Sequence, residues 1–196
     1  MRHHPRMKLD DIACLAIRPN KTLPVRRLRP ADRDALRQFG TSLSPETTAR
    51  FLPHLYDDAT LDPLLKRSES GEDLTLGAFS GKEIVGYFFL HHFKKPFPLL
   101  GIGIRDDFQG CGLGRQMMLL LIDEAVKNGN DGIDLTTLPT NDRAFNLYLS
   151  VGFHHIGFVE NPLADGGVTI ERALRYIINP QAEPPAVFAN GRLVKK

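Results

Sequence analysis

The residue types and spacing at positions 109–115 are the clearest indication of a functional site in this sequence. They spell QGCGLGR, with glycines at positions 110, 112 and 114 and a run of apolar residues directly afterwards. Glycine lets backbone N–H groups approach a ligand closely and adopts backbone angles that other residues resist. A helix that starts at this point adds unsatisfied N–H donors and a partial positive charge. The spacing therefore predicts a site for pyrophosphate oxygens, with Arg115 as an additional cation.

Two nucleotide-binding motifs also place glycines before a helix, and neither fits this loop. The Walker pattern requires Gly-Lys-Ser/Thr, whereas Gly114 is followed by Arg115 and Gln116. The dinucleotide fingerprint G-x-G-x-x-G has a different last spacing, and its turn lies tight against the strand, whereas residues 105–109 precede the first glycine here. Taken alone, the glycines favour a strand-to-helix turn that binds no ligand.

Apolar periodicity predicts the elements around the loop. A strand over residues 99–104 precedes it, and a helix over 113–126, apolar almost all round, follows it. Further downstream the pattern predicts a strand over 133–137, a helix over 141–151 that Gly152 closes, and strands over 153–159 and 168–176.

Upstream of the loop, the pattern predicts a strand over 25–28 and then helices. One helix opens at Pro30 and another at Ser44-Pro45-Glu46, and the helical segments restart near Asp62-Pro63. Strands over 73–80 and 83–93 follow, joined by a hairpin turn at 80–82. This order predicts an α/β (mixed α+β) fold, in which helices flank a central mixed, mostly antiparallel sheet.

Two motifs in this order resemble those of the GNAT superfamily of N-acetyltransferases. The first is the family's coenzyme A loop, Gln/Arg-x-x-Gly-x-Gly/Ala after an apolar strand, which matches residues 109–114 here. The second is N-x-x-A-x-x-L-Y followed by G-F, which matches residues 141–148 and then Gly152-Phe153. The resemblance extends from about Val25 to Tyr176. It implies the GNAT fold and acetyl-CoA as the cosubstrate.

The resemblance also implies roles for the matching residues. Backbone amides of the loop would hold the coenzyme pyrophosphate, and the strand edge at 102–104 would pair with the pantetheine amides. Asn141 would bind the pantetheine arm, Arg143 would approach the adenosine phosphate, and Tyr148 would face the thioester sulfur. The implied coenzyme residues are Ile102, Gly103, Ile104, Gln109, Gly110, Cys111, Gly112, Leu113, Gly114, Arg115, Asn141, Arg143 and Tyr148.

Tyr148 suits the role of general acid, which the resemblance assigns to it. Aminolysis of a thioester needs a neutral amine and an acid for the departing thiolate. A phenol with a reference pKa of about 10 can protonate a thiolate with a reference pKa of about 8.5. Helix packing is the alternative role for Tyr148, because neighbouring apolar residues share its helix.

The general base is not identified by the motifs. Many relatives carry a glutamate on the strand before the loop, but residues 98–104 contain no ionisable side chain. His91 and His92, near the end of the preceding strand, are the local candidates because histidine titrates in the required range. Strand alternation allows only one of them to face a cleft, and a role as an exposed strand-end histidine stays open for both.

Composition limits the other classes of function. The 196 residues include 25 basic and 23 acidic side chains, a near balance that does not favour nucleic-acid binding through a basic face. Two distant cysteines form no disulfide framework, and no Cys/His spacing suggests a metal site. The longest apolar run is too short for a membrane span. We therefore expect a cytoplasmic protein that uses no metal and does not bind membranes, with a homodimer possible.

The chain divides by composition into three segments. Residues 1–22 show no sustained apolar periodicity, which predicts a loose arm with a short packed segment at residues 12–17. Residues 23–178 would form the transferase domain. Residues 179–196, which contain three prolines, predict a flexible or docking tail. The start of the domain, residues 25–51 with an SLSPE turn, resembles bacterial protein-lysine acetyltransferases.

Two functions compete on this basis. The first is an N-acetyltransferase whose acceptor, a primary amine, attacks acetyl-CoA directly in a ternary complex. The acceptor would be a small molecule, a lysine side chain or a protein N-terminus. The second is a non-catalytic sensor or regulatory module that binds an acyl-CoA on the same fold. A nucleotide-binding α/β protein has only the glycine count in its favour.

Overall fold

The computed structural model describes residues 11–18, 21–162, 168–185, 188 and 192–194. These residues form two compact units. The first is drawn from Met1–Phe89 and Gly101–Met118, and the second from Leu90–Leu100 and Leu119–Lys196. In the described part of the chain, no helix has the length and apolar composition needed to cross a membrane.

The sheet of the first unit is built from strands that pair mainly with their neighbours in sequence. These are β1 (Asp11–Arg18), β2 (Lys21–Arg27), β3 (Leu74–Ser80), β4 (Glu83–His91) and β5 (Leu99–Ile104), in that spatial order. β1 pairs antiparallel with β2, and β2 pairs antiparallel with β3. β3 and β4 are joined by the predicted hairpin turn, in which Gly81 has a φ of 65°.

Three helices of the first unit lie between β2 and β3. They are α1 (Arg33–Thr41), α2 (Pro45–Arg50) and α3 (Asp58–Glu69). Ser44 caps α2, as the sequence predicts, by accepting a hydrogen bond from the Thr47 N–H at 3.2 Å. The helices bury their apolar side chains against β3 and β4. The buried set comprises Leu28, Leu36, Phe39, Leu43, Leu61, Leu64, Leu65, Phe79, Ile84, Tyr87 and Phe89.

The predicted restart of the helix near Pro63 is wrong. α3 begins at Asp58, where the Asp57 carboxylate accepts a hydrogen bond from the Thr60 N–H at 2.8 Å, and it continues through Pro63. A proline at this depth removes one backbone hydrogen bond. Burial of Leu61, Leu64 and Leu65 outweighs that loss, because tertiary packing dominates the stability of a short helix.

The second unit alternates helices and strands before it ends in antiparallel pairs. The chain passes from the first unit to the second within the long helix α4 (Leu113–Asn128). It continues with β6 (Gly132–Thr137), α5 (Asp142–Ser150), β7 (His154–Pro162), β8 (Val168–Ile177) and β9 (Arg192–Val194). The spatial order is β5-β6-β8-β7-β9. β5 and β6 are parallel and the later pairs are antiparallel. The predicted mixed, mostly antiparallel sheet with flanking helices is confirmed.

A buried ion pair joins β6 to β8 in the second unit. Both oxygens of the Asp134 carboxylate accept hydrogen bonds from Arg175, at 2.6 Å from Nε and 2.7 Å from Nη2. The guanidinium lies between two rings, 4.9 Å from the centroid of Phe97 and 5.6 Å from that of Phe188. Arg175 also donates to the carbonyl of Pro185 at 3.4 Å. The pair therefore holds part of the C-terminal segment against the sheet.

Both ends of the chain contribute more regular structure than their composition indicates. Residues 12–17, expected as a packed piece of a loose arm, belong to β1, where Leu15 and Ile17 are buried. In the C-terminal segment, predicted to be a flexible or docking tail, the described residues pack on the sheet: Phe188 is 1% exposed, and β9 pairs with β7. The few apolar residues among the prolines are sufficient for this packing. Residues 1–10 lie outside the described part.

Candidate functional site

The glycine loop of the first unit has the backbone shape that its sequence predicts. Gly110 and Gly112 have φ values of 75° and 82°, a left-handed conformation that side chains other than glycine rarely adopt. Leu113 begins α4 directly after them, and Gly114 and Arg115 lie in its first turn. The N–H groups of a first turn point out of the helix end. Loop and helix together therefore present backbone donors and the positive end of a helix dipole.

The strand before the loop has an aromatic ring over each of its glycines. A Cβ atom on Gly101 would lie 2.2 Å from the ring of Phe89, and one on Gly103 would lie 2.2 Å from the ring of Phe51. These positions accept only glycine as long as the rings stay in place. Ile102 and Ile104 alternate with them and are partly exposed. Within the first unit, the coenzyme residues predicted from Ile102 to Arg115 are thus contiguous in one strand, loop and helix start.

Polar side chains tie the loop to α2. The Asp106 carboxylate accepts hydrogen bonds from the Ser44 N–H at 3.0 Å, the Ser44 hydroxyl at 2.7 Å and the Thr47 hydroxyl at 2.6 Å. The Thr47 hydroxyl and the two Ser44 donors lower the pKa of Asp106 to about 2. The Gln109 side chain donates to the Thr47 hydroxyl at 3.1 Å and to the Ile104 carbonyl at 3.0 Å.

Other side chains of this region stabilise the loop rather than offer reactive groups. The Cys111 thiol donates to the Phe108 carbonyl at 2.9 Å and is half-buried. Arg105 binds both carboxylate oxygens of Asp107 and also contacts Glu83 at 2.9 Å. These carboxylates raise the pKa of Arg105, so it is a fixed cation beside the loop.

The helix motif of the second unit places its residues on α5. The Asn141 side-chain oxygen caps the helix by accepting from the Ala144 N–H at 3.3 Å, so the side-chain nitrogen is the group that the predicted pantetheine contact would use. Arg143 is exposed on the first turn. Tyr148 lies near the end of α5 with its ring 6.2 Å from Phe153, and burial raises the pKa of its phenol to about 12.

Contacts from β7 and β8 fix α5 within the second unit. Arg172 donates to the Asp142 carboxylate at 2.8 Å, and its guanidinium lies 4.4 Å from the centroid of the Phe145 ring. The same ring and that of His155 meet at nearly right angles, with their centroids 5.5 Å apart. Tyr148 follows Phe145 by three residues, so the two side chains lie near each other on the same helix.

The histidine candidates lie at the end of β4. His91 is the last residue of the strand, and His92 has a φ of 57°, so the chain turns sharply there. The Lys95 N–H donates to the His92 carbonyl at 2.8 Å and closes this turn. Both side chains are partly exposed. The Nε2 atom of His91 is nevertheless buried, so partial exposure of its side chain does not extend to that ring nitrogen.

His54 in the first unit is a structural histidine. Its Nδ1 lies 2.8 Å from the Leu55 carbonyl, which can only accept, so Nδ1 carries the proton. Its Nε2 then accepts from the Tyr87 hydroxyl at 2.9 Å. Burial lowers the pKa of His54, in agreement with a neutral ring.

Sequence patterns did not reveal the residues that join the loop to α2. Ser44 is recognisable only as a helix cap, and nothing in the sequence distinguishes Asp106 from Asp107. Their contacts join positions 62 residues apart, a pairing that local patterns do not encode. The described residues contain no group of three or more His, Cys, Asp or Glu side chains that could hold a metal ion.

Comparisons with known proteins agree with the two motifs. A model of the family described as "Acetyltransferase (GNAT) family" matches residues 36–153. "Uncharacterized N-acetyltransferase YvbK" from Bacillus subtilis (strain 168) is 30% identical over 105 residues, 50% of this chain and 66% of that protein. "N-alpha-acetyltransferase RimI" from Mycobacterium tuberculosis is 35% identical over 86 residues, 42% of this chain and 52% of that protein. The match thus spans less than two thirds of either relative.

Solved structures share the fold. The structure of Mycobacterium smegmatis RimJ in complex with CoA-disulfide superposes with a TM-score of 0.71 at 16% sequence identity, covering 88% of this chain and 90% of that chain. At this identity the likeness concerns the fold alone.

Proposed function

We propose that this chain, which belongs to the Acetyltransferase (GNAT) family, is an N-acetyltransferase that moves an acetyl group from acetyl-CoA to a primary amine. The observation that carries the proposal is the loop, in which Gly110 and Gly112 adopt left-handed angles at the start of α4. This shape presents backbone donors to an anion of pyrophosphate size. The proposed transferase domain comprises residues 23–178.

In this proposal the first unit binds the coenzyme. Backbone N–H groups of residues 109–115 hold the pyrophosphate, and the β5 edge at Ile102–Ile104 pairs with the pantetheine amides as an added strand would. The covered glycines of β5 support this role, because the Phe51 and Phe89 rings fix the strand from one side. Asn141 and Arg143, on α5 in the second unit, contact the pantetheine arm and the adenosine phosphate.

Tyr148 is the proposed general acid. The amine nitrogen attacks the thioester carbonyl directly, the C–S bond breaks, and the phenol gives its proton to the departing sulfur. Burial raises the pKa of Tyr148 to about 12, so the phenol stays protonated at neutral pH and has a proton to give. The backbone N–H of Ile104 or a neighbour is the proposed donor to the oxyanion.

His92 or His91 is the proposed general base. The proton that the attacking amine loses must go to a group that titrates near neutral pH, and histidine meets this condition. Asp106 does not, because three donors hold its pKa at about 2. His54 also does not, since both of its ring nitrogens are engaged within the protein.

The acceptor is a primary amine on a small molecule, a lysine side chain or a protein N-terminus. The name of the Mycobacterium tuberculosis relative specifies an α-amine, which makes a peptide N-terminus the first acceptor to test.

Selective stabilisation by coenzyme A tests the proposal. At a ligand concentration about 100 times the Kd, binding adds about 2.7 kcal/mol, or a rise of roughly 5–10 °C in Tm for a chain of this size. We expect this rise with acetyl-CoA and free CoA but not with NAD or ATP. A chain that responds to NAD or ATP, or to none of the four, would refute the proposed coenzyme site.

A pair of glycine variants makes the test specific for the loop. Gly112 and Gly71 have φ values of 82° and 73°. A Cβ atom added at either position would have no neighbouring atom within 4 Å. Gly112→Ala and Gly71→Ala therefore introduce similar backbone strain. Only Gly112→Ala should lose the CoA-dependent rise in Tm, whereas Gly71→Ala should keep it.

A further inference from the structure

We propose that Thr47 and Asp106 are positioning residues that couple coenzyme binding at the loop to α2 and to residues 51–57. The inference rests on the proposed function, because it requires the loop to bind coenzyme A. All of the contacts that carry it lie within the first unit.

The N-terminal end of α2 is held by one carboxylate. Asp106 follows β5 by two residues and accepts hydrogen bonds from the Ser44 N–H, the Ser44 hydroxyl and the Thr47 hydroxyl. A carboxylate near a helix N-terminus also interacts favourably with the helix dipole. The position of the first turn of α2 therefore depends on the position of Asp106, just after β5.

The Thr47 hydroxyl connects this carboxylate to the loop itself. It donates to Asp106 at 2.6 Å and accepts from the Gln109 side chain at 3.1 Å. Gln109 also donates to the Ile104 carbonyl at 3.0 Å, so its side chain bridges β5 and α2. Gln109 is the first residue of the proposed coenzyme loop. The Thr47 hydroxyl thus links the loop to α2.

The C-terminal end of α2 is held on the same strand. Phe51 ends the helix, and its ring covers Gly103 and meets Tyr87 edge-on at 6.2 Å. The Tyr87 hydroxyl in turn donates to His54. Phe51 therefore lies against β5 and His54 contacts Tyr87 of β4, whereas Leu52 and Leu55 are 56% and 62% exposed.

Because α2 is short, its stability depends on these contacts at its two ends. Six residues form fewer than two turns, and isolated helices of this length are not stable in water. Contacts with Asp106, Gln109 and Gly103 must therefore supply much of the order in α2. Of these contacts, the one from Gln109 starts in the loop itself, so a ligand that orders the loop also orders α2 and the apolar segment after it through the Thr47 hydroxyl.

Backbone hydrogen exchange with and without free CoA tests this coupling. In the wild-type chain we expect CoA to slow exchange about fivefold or more in residues 109–116 and also in 45–57. In Thr47→Val, which removes the hydroxyl at nearly constant volume, we expect slower exchange only in 109–116. Thr47→Ser restores the hydroxyl and should recover protection of 45–57.

The neighbouring threonine provides the matched control. Thr48 lies on the same short helix, and Thr48→Val makes the same chemical change one position away. We expect this variant to behave as the wild type in both segments. If Thr47→Val does not fold, Asp106→Asn removes the acceptor charge at the same junction and should uncouple the two segments in the same way.

The outcomes separate this inference from the function on which it rests. Protection of 109–116 without protection of 45–57 in the wild type overturns the coupling and leaves the coenzyme site intact. Retained protection of 45–57 in Thr47→Val overturns it as well. No protection of 109–116 overturns both proposals. A higher KM for the amine in Thr47→Val, with an unchanged KM for acetyl-CoA, would support the coupling.

Discussion

The phenol of Tyr148 illustrates how the environment of one residue supports a chemical role. Burial on α5 raises its pKa to about 12, which keeps the proton on the oxygen over the whole working range of pH. The same rise makes the phenol a weaker acid than a thiol with a reference pKa near 8.5, so the proposed role requires the proton to move as the C–S bond breaks. Tyr148 therefore should not set the pH dependence of the reaction.

The pH dependence should come from a histidine instead. We expect kcat/KM of the wild type to fall on the acid side, with a midpoint near the reference histidine pKa of about 6.5, because the base must be neutral. His91→Ala and His92→Ala, measured over pH 5–9, should separate the candidates, since only one of them should remove the acid limb. Two profiles that match the wild type would eliminate both residues.

Single residues differ in how far the sequence predicts their roles. Gly110, Gly112 and Tyr148 belong to ordered motifs, and the structure gives the two glycines the left-handed angles that their spacing implies. Thr47 and Asp106 belong to no motif, because their importance comes from a contact between distant segments. An ordinary threonine and an ordinary aspartate carry no local signal of such a contact.

At the scale of elements, turn chemistry and periodicity predicted most boundaries well. β5, α4 and β6 appear where the apolar pattern places them. α3 is the exception, because tertiary burial keeps the helix continuous through Pro63. β9 was not predicted, since its three residues form a strand only through pairing with β7.

The pairing of β6 with β8 depends on a buried charge pair, which a double-mutant cycle can test. Arg175→Met leaves the Asp134 carboxylate buried without its partner, and we expect a loss of about 3–5 kcal/mol in the free energy of unfolding. Combining it with Asp134→Leu should recover much of that loss, because both charges are then absent. Urea unfolding measures the two single variants, Arg175→Met and Asp134→Leu, and the double variant.

An exposed pair supplies the control for this cycle. Lys127 and Asp123 lie 2.7 Å apart with side chains more than half exposed. Lys127→Met should cost much less than Arg175→Met because solvent screens the exposed pair. If Arg175→Met costs no more than Lys127→Met, the buried pair does not contribute to stability as its geometry indicates.

At the scale of the whole molecule, both ends of the chain add strands to the sheets. β1 pairs with β2, and Gln116 on α4 accepts from the Ala16 N–H at 2.9 Å and donates to its carbonyl. β9 occupies the edge of β7 opposite β8. A homodimer formed through the late strands would have to displace β9 or pair with its outer edge.

The proposed activity also belongs to this scale, because its two motifs lie in different parts of the chain. The order of the two motifs along the chain was enough to predict the family, which the match over residues 36–153 confirms. The acceptor was not predictable from sequence, since the segments that would contact it have no fixed pattern. Catalysis, rather than coenzyme binding alone, is what distinguishes an enzyme from a sensor on this fold.

Release of free thiol from acetyl-CoA in the presence of amines tests this central claim most directly. We expect amine-dependent release by the wild type, a kcat lower by about 10²- to 10⁴-fold in Tyr148→Phe, and a far smaller effect on CoA binding in that variant. Tyr176→Phe is the matched control, because Tyr176 also packs against Phe153, at 5.5 Å, and should retain full activity. A wild-type chain that binds CoA but releases no thiol with small amines, lysine peptides or peptide N-termini would contradict the account.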